Sequence, residues 1–375
     1  MPFSSLNRIE VNLSAIRQNF RAIASLHGLE TSRLMAVVKS DGYGHGMVEV
    51  SRLLVAEGAW GLAIFDLSEG ERLRSNGISA RIFLLSGFPL GDEEGIMALG
   101  LIPGVTQRAQ LHALEKEAAR RKARCEIHLK ADTGMGRMGF EPEEITEIVK
   151  ARGEWPHLAF AGLYTHLSSA DDPEDPETRR QIDVFARLVA TVRRLGWDPP
   201  FLHAANSAGL IHFPESIYSI ARIGLAIYGA YPGEKAKEKI ALQPAMSFKS
   251  RIVEIRSSPP GSPVSYGHRF RCARASRIAV LPVGYDDGYF RSLSGSARVI
   301  IRGRPRPVLG NICMKALMVD VTDAPAAEVG DEAVLLGRQE GEEITLEELA
   351  EWSGTISYEV MCSLGTRNTR YHKGS

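Results

Sequence analysis

Lys39 closes the apolar run Met35-Ala-Val-Val and opens the glycine-rich stretch Ser40-Asp-Gly-Tyr43-Gly-His-Gly46. Val37 and Val38 favour extended, buried backbone, while Gly42, Gly44 and Gly46 supply positive φ angles and close backbone approach to a ligand. Desolvation at the end of a buried strand lowers an ammonium pKa, and the neutral amine is the nucleophile that forms a Schiff base with a carbonyl compound. A lysine snorkelling from a strand end to water fits the same run, so the motif alone leaves both readings open. Four further sets of chemically capable residues follow apolar runs. Lys130 ends Glu126-Ile-His-Leu-Lys130, His166 follows Leu163-Tyr-Thr, Asn206-Ser207 follows a third run, and Arg222-Ile-Gly224 a fourth. One histidine is more often a hydrogen-bonded structural residue than a catalyst. Five such groups at corresponding strand ends are what the carboxyl face of a parallel barrel would assemble.

The elements needed to position them are legible as alternating short apolar runs and helical stretches up to about residue 240, the pattern of a mostly parallel sheet. Strands are expected at Ile9–Val11, Met35–Val38, Leu62–Phe65, Ile82–Leu85, Leu101–Val105, Cys125–Leu129, Leu158–Tyr164, Phe201–Ala204 and Ser219–Ile223. That is one more than an eight-stranded barrel holds, so the first is expected to belong elsewhere. Asn12 or Ser14 would cap a helix burying Ile16, Phe20 and Ile23, and further helices are expected at Gln107–Ala123, Pro142–Ala151 and Thr178–Leu195. After Tyr231-Pro-Gly233 the texture changes to alternating, Pro- and Gly-rich sequence with one helix at Leu346–Trp352. The fold class is therefore α/β: a (β/α)₈ TIM-type barrel over 1–240 followed by a C-terminal β-rich domain over 241–375, with the first ten residues or so pairing with the latter.

The 375 residues carry 45 Lys plus Arg and 45 Asp plus Glu, which gives no electrostatic case for nucleic acid or an anionic membrane surface. A small molecule is the expected partner. The N-terminal run lacks a basic region followed by an apolar core, and no stretch approaches the roughly 20 apolar residues that cross a bilayer, so a cytoplasmic protein is expected. Cys125, Cys272, Cys313 and Cys362 are too scattered for a disulfide framework or a zinc site and read as free thiols, with no metal expected.

The segment Ala36-Val-Val-Lys39-Ser-Asp-Gly-Tyr43-Gly-His-Gly46 closely resembles the cofactor-lysine motif of bacterial alanine racemases, which are fold-type III pyridoxal-phosphate enzymes. The resemblance continues in order through Lys130-Ala-Asp-Thr-Gly-Met-Gly-Arg137-Met-Gly139, Thr165-His166, Ala205-Asn-Ser207, Arg222-Ile-Gly224-Leu-Ala-Ile-Tyr228-Gly229, Val264-Ser-Tyr266-Gly267, Gly284-Tyr285, Cys313-Met314 and Tyr358-Glu-Val. It implies a barrel, a C-terminal β domain and a head-to-tail homodimer in which Tyr266 and Met314 serve the partner's Lys39. It further implies that Lys39 holds pyridoxal 5′-phosphate as a Schiff base, and that Tyr43, Asn206, Ser207, Tyr358 and the backbone of Gly224 and Leu225 bind it, chiefly through its phosphate. Arg222 would face the pyridine nitrogen, and Lys39 and Tyr266 would act as the two bases, supported by His166 and Arg222. Arg137 and the backbone of Met314 would hold the substrate carboxylate, with Lys130 carbamylated beside Arg137. Asp171 and Tyr285 would line a narrow entry. The implied reaction is interconversion of L- and D-alanine, supplying D-alanine for peptidoglycan.

Three positions depart from the family. Relatives usually have aspartate after the methionine, where this chain has Lys315; Asn311 replaces a common arginine, and Asp286 stands where alanine is frequent. Either the changes at 311 and 315 compensate one another with alanine still preferred, or Lys315 alters preference or rate, discouraging cationic substrates; Asp286 has no consequence derivable from sequence. A broad-specificity amino-acid racemase shares the fold and both bases. A fold-type III decarboxylase fits Tyr266 and Arg222 less well, and a non-catalytic pyridoxal-phosphate carrier would need neither Tyr266 nor a second domain.

Overall fold

The computed structural model describes residues 6–374. The expected barrel strands all form: β2 (Leu34–Val37), β3 (Gly61–Ile64), β4 (Ile82–Leu84), β5 (Ile102–Val105), β6 (Cys125–Lys130), β7 (Leu158–Tyr164), β8 (Phe201–His203) and β9 (Ala221–Ile223), after a first strand β1 (Arg8–Asn12) that lies outside them. They hydrogen-bond in the order β8-β7-β6-β5-β4-β3-β2-β9, every pair parallel. The seam between β8 and β9 is bridged by the Ser219 and Ile220 amides on the Leu202 carbonyl at 3.1 and 3.2 Å, and by the Arg222 amide on the Ala205 carbonyl at 3.0 Å. β2 to β5 read as continuous apolar segments because every residue in them is buried, as expected where helices cover one face of a parallel sheet and the packed interior the other.

The barrel interior departs from that rule where the site begins. His128 and His203 are fully buried, and Lys130 and Arg222 nearly so. Room for His128 comes from β7: a Cβ on Gly162 would stand 2.3 Å from the imidazole. The helices fall where expected, at Arg108–Arg121, Pro142–Lys150 and Pro176–Arg194. Each of the last two starts on proline, which lacks the amide that a first helical residue cannot satisfy. Asn12 caps the first helix, Leu13–Ser25, by accepting the Ala15 amide at 3.1 Å.

Contacts divide the chain into two units, one holding Arg17–Gly42 and Met47–Leu242, the other the chain up to Ile16, Tyr43–Gly46 and everything from Gln243. The second is built on β10 (Met246–Arg251), β11 (Glu254–Ser258), β12 (Pro263–Val264), β13 (Phe270–Arg271), β14 (Ser276–Leu281), β15 (Arg298–Ile301), β16 (Arg304–Leu309), β17 (Leu317–Asp320), β18 (Glu332–Gln339), β19 (Glu342–Ile344) and β20 (Arg370–Lys373). Its main sheet runs β11-β14-β17-β16-β15-β18-β10-β1-β20, with β19 on β18 and a separate β12-β13 hairpin. Of the first ten residues assigned to this domain from sequence, 1–5 lie outside the described residues, as does the same stretch of the N-terminal run searched for a leader. β1 pairs antiparallel with β10 and parallel with β20. The helix Leu346–Ser353 starts on a reciprocal cap, with the Glu348 amide on Thr345 Oγ1 at 3.1 Å and the Thr345 amide on the Glu348 carboxylate at 2.9 Å. All four cysteines are free. Among the described residues no helix is long and apolar enough to cross a membrane.

Candidate active site

Lys39 leaves β2 through a left-handed turn. Ser40, Asp41 and Gly42 have φ of 54°, 52° and 64°, and Tyr43 follows at 53°. The expected glycines adopt positive φ, but three non-glycine residues do so as well. That conformation costs a non-glycine residue roughly 1–2 kcal/mol, so the turn needs support. The Gly42 amide donates to the Val38 carbonyl at 2.7 Å. The Asp41 carboxylate accepts the Met47 amide at 2.9 Å and pairs with Arg72 at 3.0 Å. Glu69 accepts the Ser40 amide at 2.6 Å on one oxygen and the Phe65 amide at 2.7 Å on the other. Burial raises the Glu69 pKa above the usual carboxylate value, against the lowering effect of these amides. The Lys39 ammonium lies 5.3 Å from the Phe65 ring centroid.

Around it the strand ends bring together the cations that sequence assigned to the site. Lys130, at the end of β6, is 4% exposed and 5.8 Å from the Tyr164 ring centroid. Burial, then the positive charges of Arg137 and Arg222, lowers its pKa to about 7; Asp132 opposes the shift and Lys39 adds to it. Asp132 is itself committed to backbone: one oxygen accepts the amides of Gly134, Met135 and Gly136 and the other that of Arg137, closing the loop that carries Arg137. His166, half-buried beyond β7, has its pKa held well below the ordinary value by burial and by Arg222, Arg137, Lys130 and Lys39. It is therefore neutral at pH 7. Four cations converging on a neutral histidine make a site for an anionic ligand.

Arg222 is the best-determined member. Its Nη1 donates to the Nδ1 and carbonyl oxygen of His203 at 3.0 and 2.9 Å, and its Nη2 to the carbonyls of Thr165 and Ala204 at 2.7 and 3.0 Å and to His166 Nδ1 at 3.3 Å. Burial lowers its pKa to about 10, so it stays charged at neutral pH. With both terminal nitrogens committed, Nε is the donor left over among the described residues. Because a guanidinium only donates, it fixes both imidazoles with their proton on Nε2. His203 Nε2 then faces His128 Nδ1 at 2.9 Å. These two core histidines were not foreseen; an His inside Glu126-Ile-His-Leu-Lys130, at an inward position of a buried strand, was the available signal.

Ser207 Oγ accepts the Gly224 and Ala226 amides at 3.1 and 3.4 Å, and Leu225 opens the short turn Leu225–Tyr228, where first amides lack intrahelical acceptors. Asn206 caps the helix that Ser207 opens: its oxygen accepts the Gly209 amide at 2.8 Å and its nitrogen donates to the Leu167 carbonyl at 3.2 Å. Asp171 is exposed, and its carbonyl lies 2.5 Å from where a Cβ on Gly233 would sit.

The other residues assigned from sequence belong to the second unit. Tyr43 and Tyr358 stand 5.9 Å apart between ring centroids. Tyr266 and Met314 are 73% and 57% exposed, unusual for side chains of their kind. The Tyr285 and Asp286 amides donate to the Cys313 and Met314 carbonyls, each at 3.1 Å, and Asn311 Nδ2 donates to the Tyr266 carbonyl at 2.7 Å. Lys315 is clasped by Asp286 at 2.8 Å and Asp287 at 2.7 Å. Two carboxylates thus offset the one ammonium, and the departures at 286 and 315 lie in one ion pair.

The barrel and its cation-lined strand ends, followed by a β domain presenting an exposed tyrosine, define a two-domain barrel protein with a lysine among cations at its strand ends. Sequence profiles for "Alanine racemase, N-terminal domain" and "Alanine racemase, C-terminal domain" match residues 11–232 and 245–372. An alanine racemase of Symbiobacterium thermophilum is 41% identical over 365 residues, covering 97% of this chain and 96% of the relative. An alanine racemase structure from Clostridium difficile superposes with a TM-score of 0.93 at 32% identity, covering 99% of this chain and 96% of that one. One from Bartonella henselae with covalently bound pyridoxal phosphate does so with a TM-score of 0.88 at 25% identity, covering 99% and 100%. The chain belongs to the alanine racemase family.

Proposed function

We propose that this chain interconverts L- and D-alanine with pyridoxal 5′-phosphate held on Lys39, in the cytoplasm, supplying D-alanine for peptidoglycan. The observation that carries the reading is Arg222: a buried guanidinium with its terminal nitrogens spent on protein and Nε left to donate. The cation cluster fits an anionic, phosphate-bearing cofactor and a carboxylate substrate. When bound, pyridoxal phosphate supplies the conjugated system that takes up the electron pair left as the α-proton departs. Arg222 would donate to the ring nitrogen of the bound group without surrendering its proton, which would limit that uptake and favour simple proton return over side chemistry. Tyr43, Ser207, Tyr358 and the amides of Gly224 and Leu225 bind the phosphate. Arg137 and the Met314 backbone hold the substrate carboxylate, and Asp171 and Tyr285 line the entry.

Racemisation needs a base on each face of the α-carbon. Lys39 moves the proton on one face and takes it from the D-isomer; Tyr266 of the partner subunit serves the other and takes it from the L-isomer. A phenol needs a hydrogen-bond donor to work as a base at neutral pH; His166 supplies one from Nε2, held in orientation by the Arg222 bond to its Nδ1. Lys130, with its pKa lowered to about 7, has a substantial neutral fraction at neutral pH and is the amine best suited to become a carbamate that orients Arg137. The exposure of Tyr266 and Met314 supports a homodimer with shared sites.

The test is chiral chromatography after incubating the full chain and pyridoxal phosphate with L-alanine, L-serine, L-lysine and L-arginine separately. Conversion of alanine alone is expected. Comparable conversion of several would make it a broad-specificity racemase; none, with cofactor on Lys39, would reduce it to a carrier.

A further inference from the structure

We propose that Glu69 is a positioning residue for Lys39, acting through the backbone of the turn that carries it; the functional part of this inference rests on the reading above. The turn is left-handed at Ser40 and Asp41, so the lysine is presented by a backbone that ordinary side chains resist. One helix, Leu67–Ser75, grips it at two points. Glu69 accepts the Ser40 amide at 2.6 Å, immediately after the lysine, and three residues on, on the same helical face, Arg72 pairs with the Asp41 carboxylate at 3.0 Å. The second oxygen of Glu69 accepts the Phe65 amide at 2.7 Å. Phe65 is the residue whose ring lies 5.3 Å from the Lys39 ammonium. A single carboxylate thus ties the two backbone segments that bracket the amine, one after β2 and one after β3. Bonds that an ionised carboxylate accepts from backbone amides are short and strong, and a carboxylate with an oxygen on each amide needs neither donor group nor flexible linkage. An amide side chain at this position would keep one acceptor and turn an N–H₂ group toward the other amide.

Lys39 must swing between holding the cofactor and handling the α-proton, so its anchor must not move with it. Loss of the brace leaves the lysine chemically intact but misplaced, which lowers turnover more than substrate affinity.

The experiment compares Glu69→Gln and Glu69→Ala with the wild-type holoenzyme, reading hydrogen exchange in peptides covering 39–42 and 65–66 together with kcat and KM for alanine. Glu69→Ala is expected to speed exchange at Ser40 and Phe65 about tenfold or more, and to lower kcat by about ten- to a hundredfold with KM changed less than about threefold. Glu69→Gln should fall between. Unchanged exchange in those two peptides, or faster exchange spread evenly over Leu67–Ser75, would overturn the brace. Faster exchange with unchanged kcat would overturn the positioning role. Wild-type enzyme that racemises no amino acid would instead sink the functional reading while the exchange comparison still decides the brace.

Discussion

Lys130 shows how burial among cations prepares an amine for covalent chemistry. Below its pKa of about 7 it carries a proton and has no lone pair; above it, in the proposed carbamylation, the neutral amine would attack dissolved CO₂, forming an N–C bond as one N–H proton leaves to solvent. With ¹³C-bicarbonate, a carbamate resonance should grow as pH rises through about 7 and be missing from Lys130→Met; its absence at pH 8 would show an uncarbamylated lysine. A second prediction concerns the rim. Lys315→Asp alone places three carboxylates together and is expected to lower kcat/KM for alanine several-fold, while adding Asp286→Ala, which restores the family's arrangement at both positions, should recover most of it. Equal losses in the single and double variants would mean that the two residues are not coupled. The sequence revealed each departure but not the link between them, because nothing in Lys315 and Asp286 as separate positions encodes a 2.8 Å contact. His128, His203 and Glu69 were missed for a similar reason: their meaning lies in partners distant along the chain. Lys39, by contrast, was legible from its own neighbours, a β-branched strand before and glycines after.

Among the elements, strands were readable to within a residue or two because their burial is nearly continuous, and helices because prolines and acidic residues mark their starts. The left-handed turn was only half readable. Glycines announced positive φ at 42, 44 and 46, whereas Ser40, Asp41 and Tyr43 adopt it under tertiary constraint. The helix Ser357–Arg367, carrying Tyr358, packs on Tyr43–Gly46 with almost no clearance: a Cβ on Gly365 would lie 2.0 Å from the Gly44 carbonyl oxygen. A backbone atom cannot step aside as a side chain can. Gly365→Ala should therefore destabilise the protein by about 1–3 kcal/mol, lowering its thermal midpoint. An unchanged midpoint would refute the packing argument.

For the whole molecule, the proposal that two subunits share their active sites makes a quantitative prediction. Lys39→Ala and Tyr266→Phe should each be nearly inactive alone. Unfolded together and refolded as a mixture, random pairing makes half the dimers mixed, each with one intact site of two, so about a quarter of wild-type activity should return. No recovery would mean that each chain works alone. One consequence of the topology reaches beyond the folded state. β1 is made before the barrel, yet its neighbours β10 and β20 are made after it. During synthesis at roughly 5–20 residues per second, the stretch from Leu13 to Ala245 keeps β1 waiting for on the order of ten to fifty seconds. Its inward residues Ile9 and Val11, fully buried at the end, are an unsealed sheet edge for that interval. A nascent chain paused before residue 246 should therefore engage chaperones through its first dozen residues, while its barrel is already assembling.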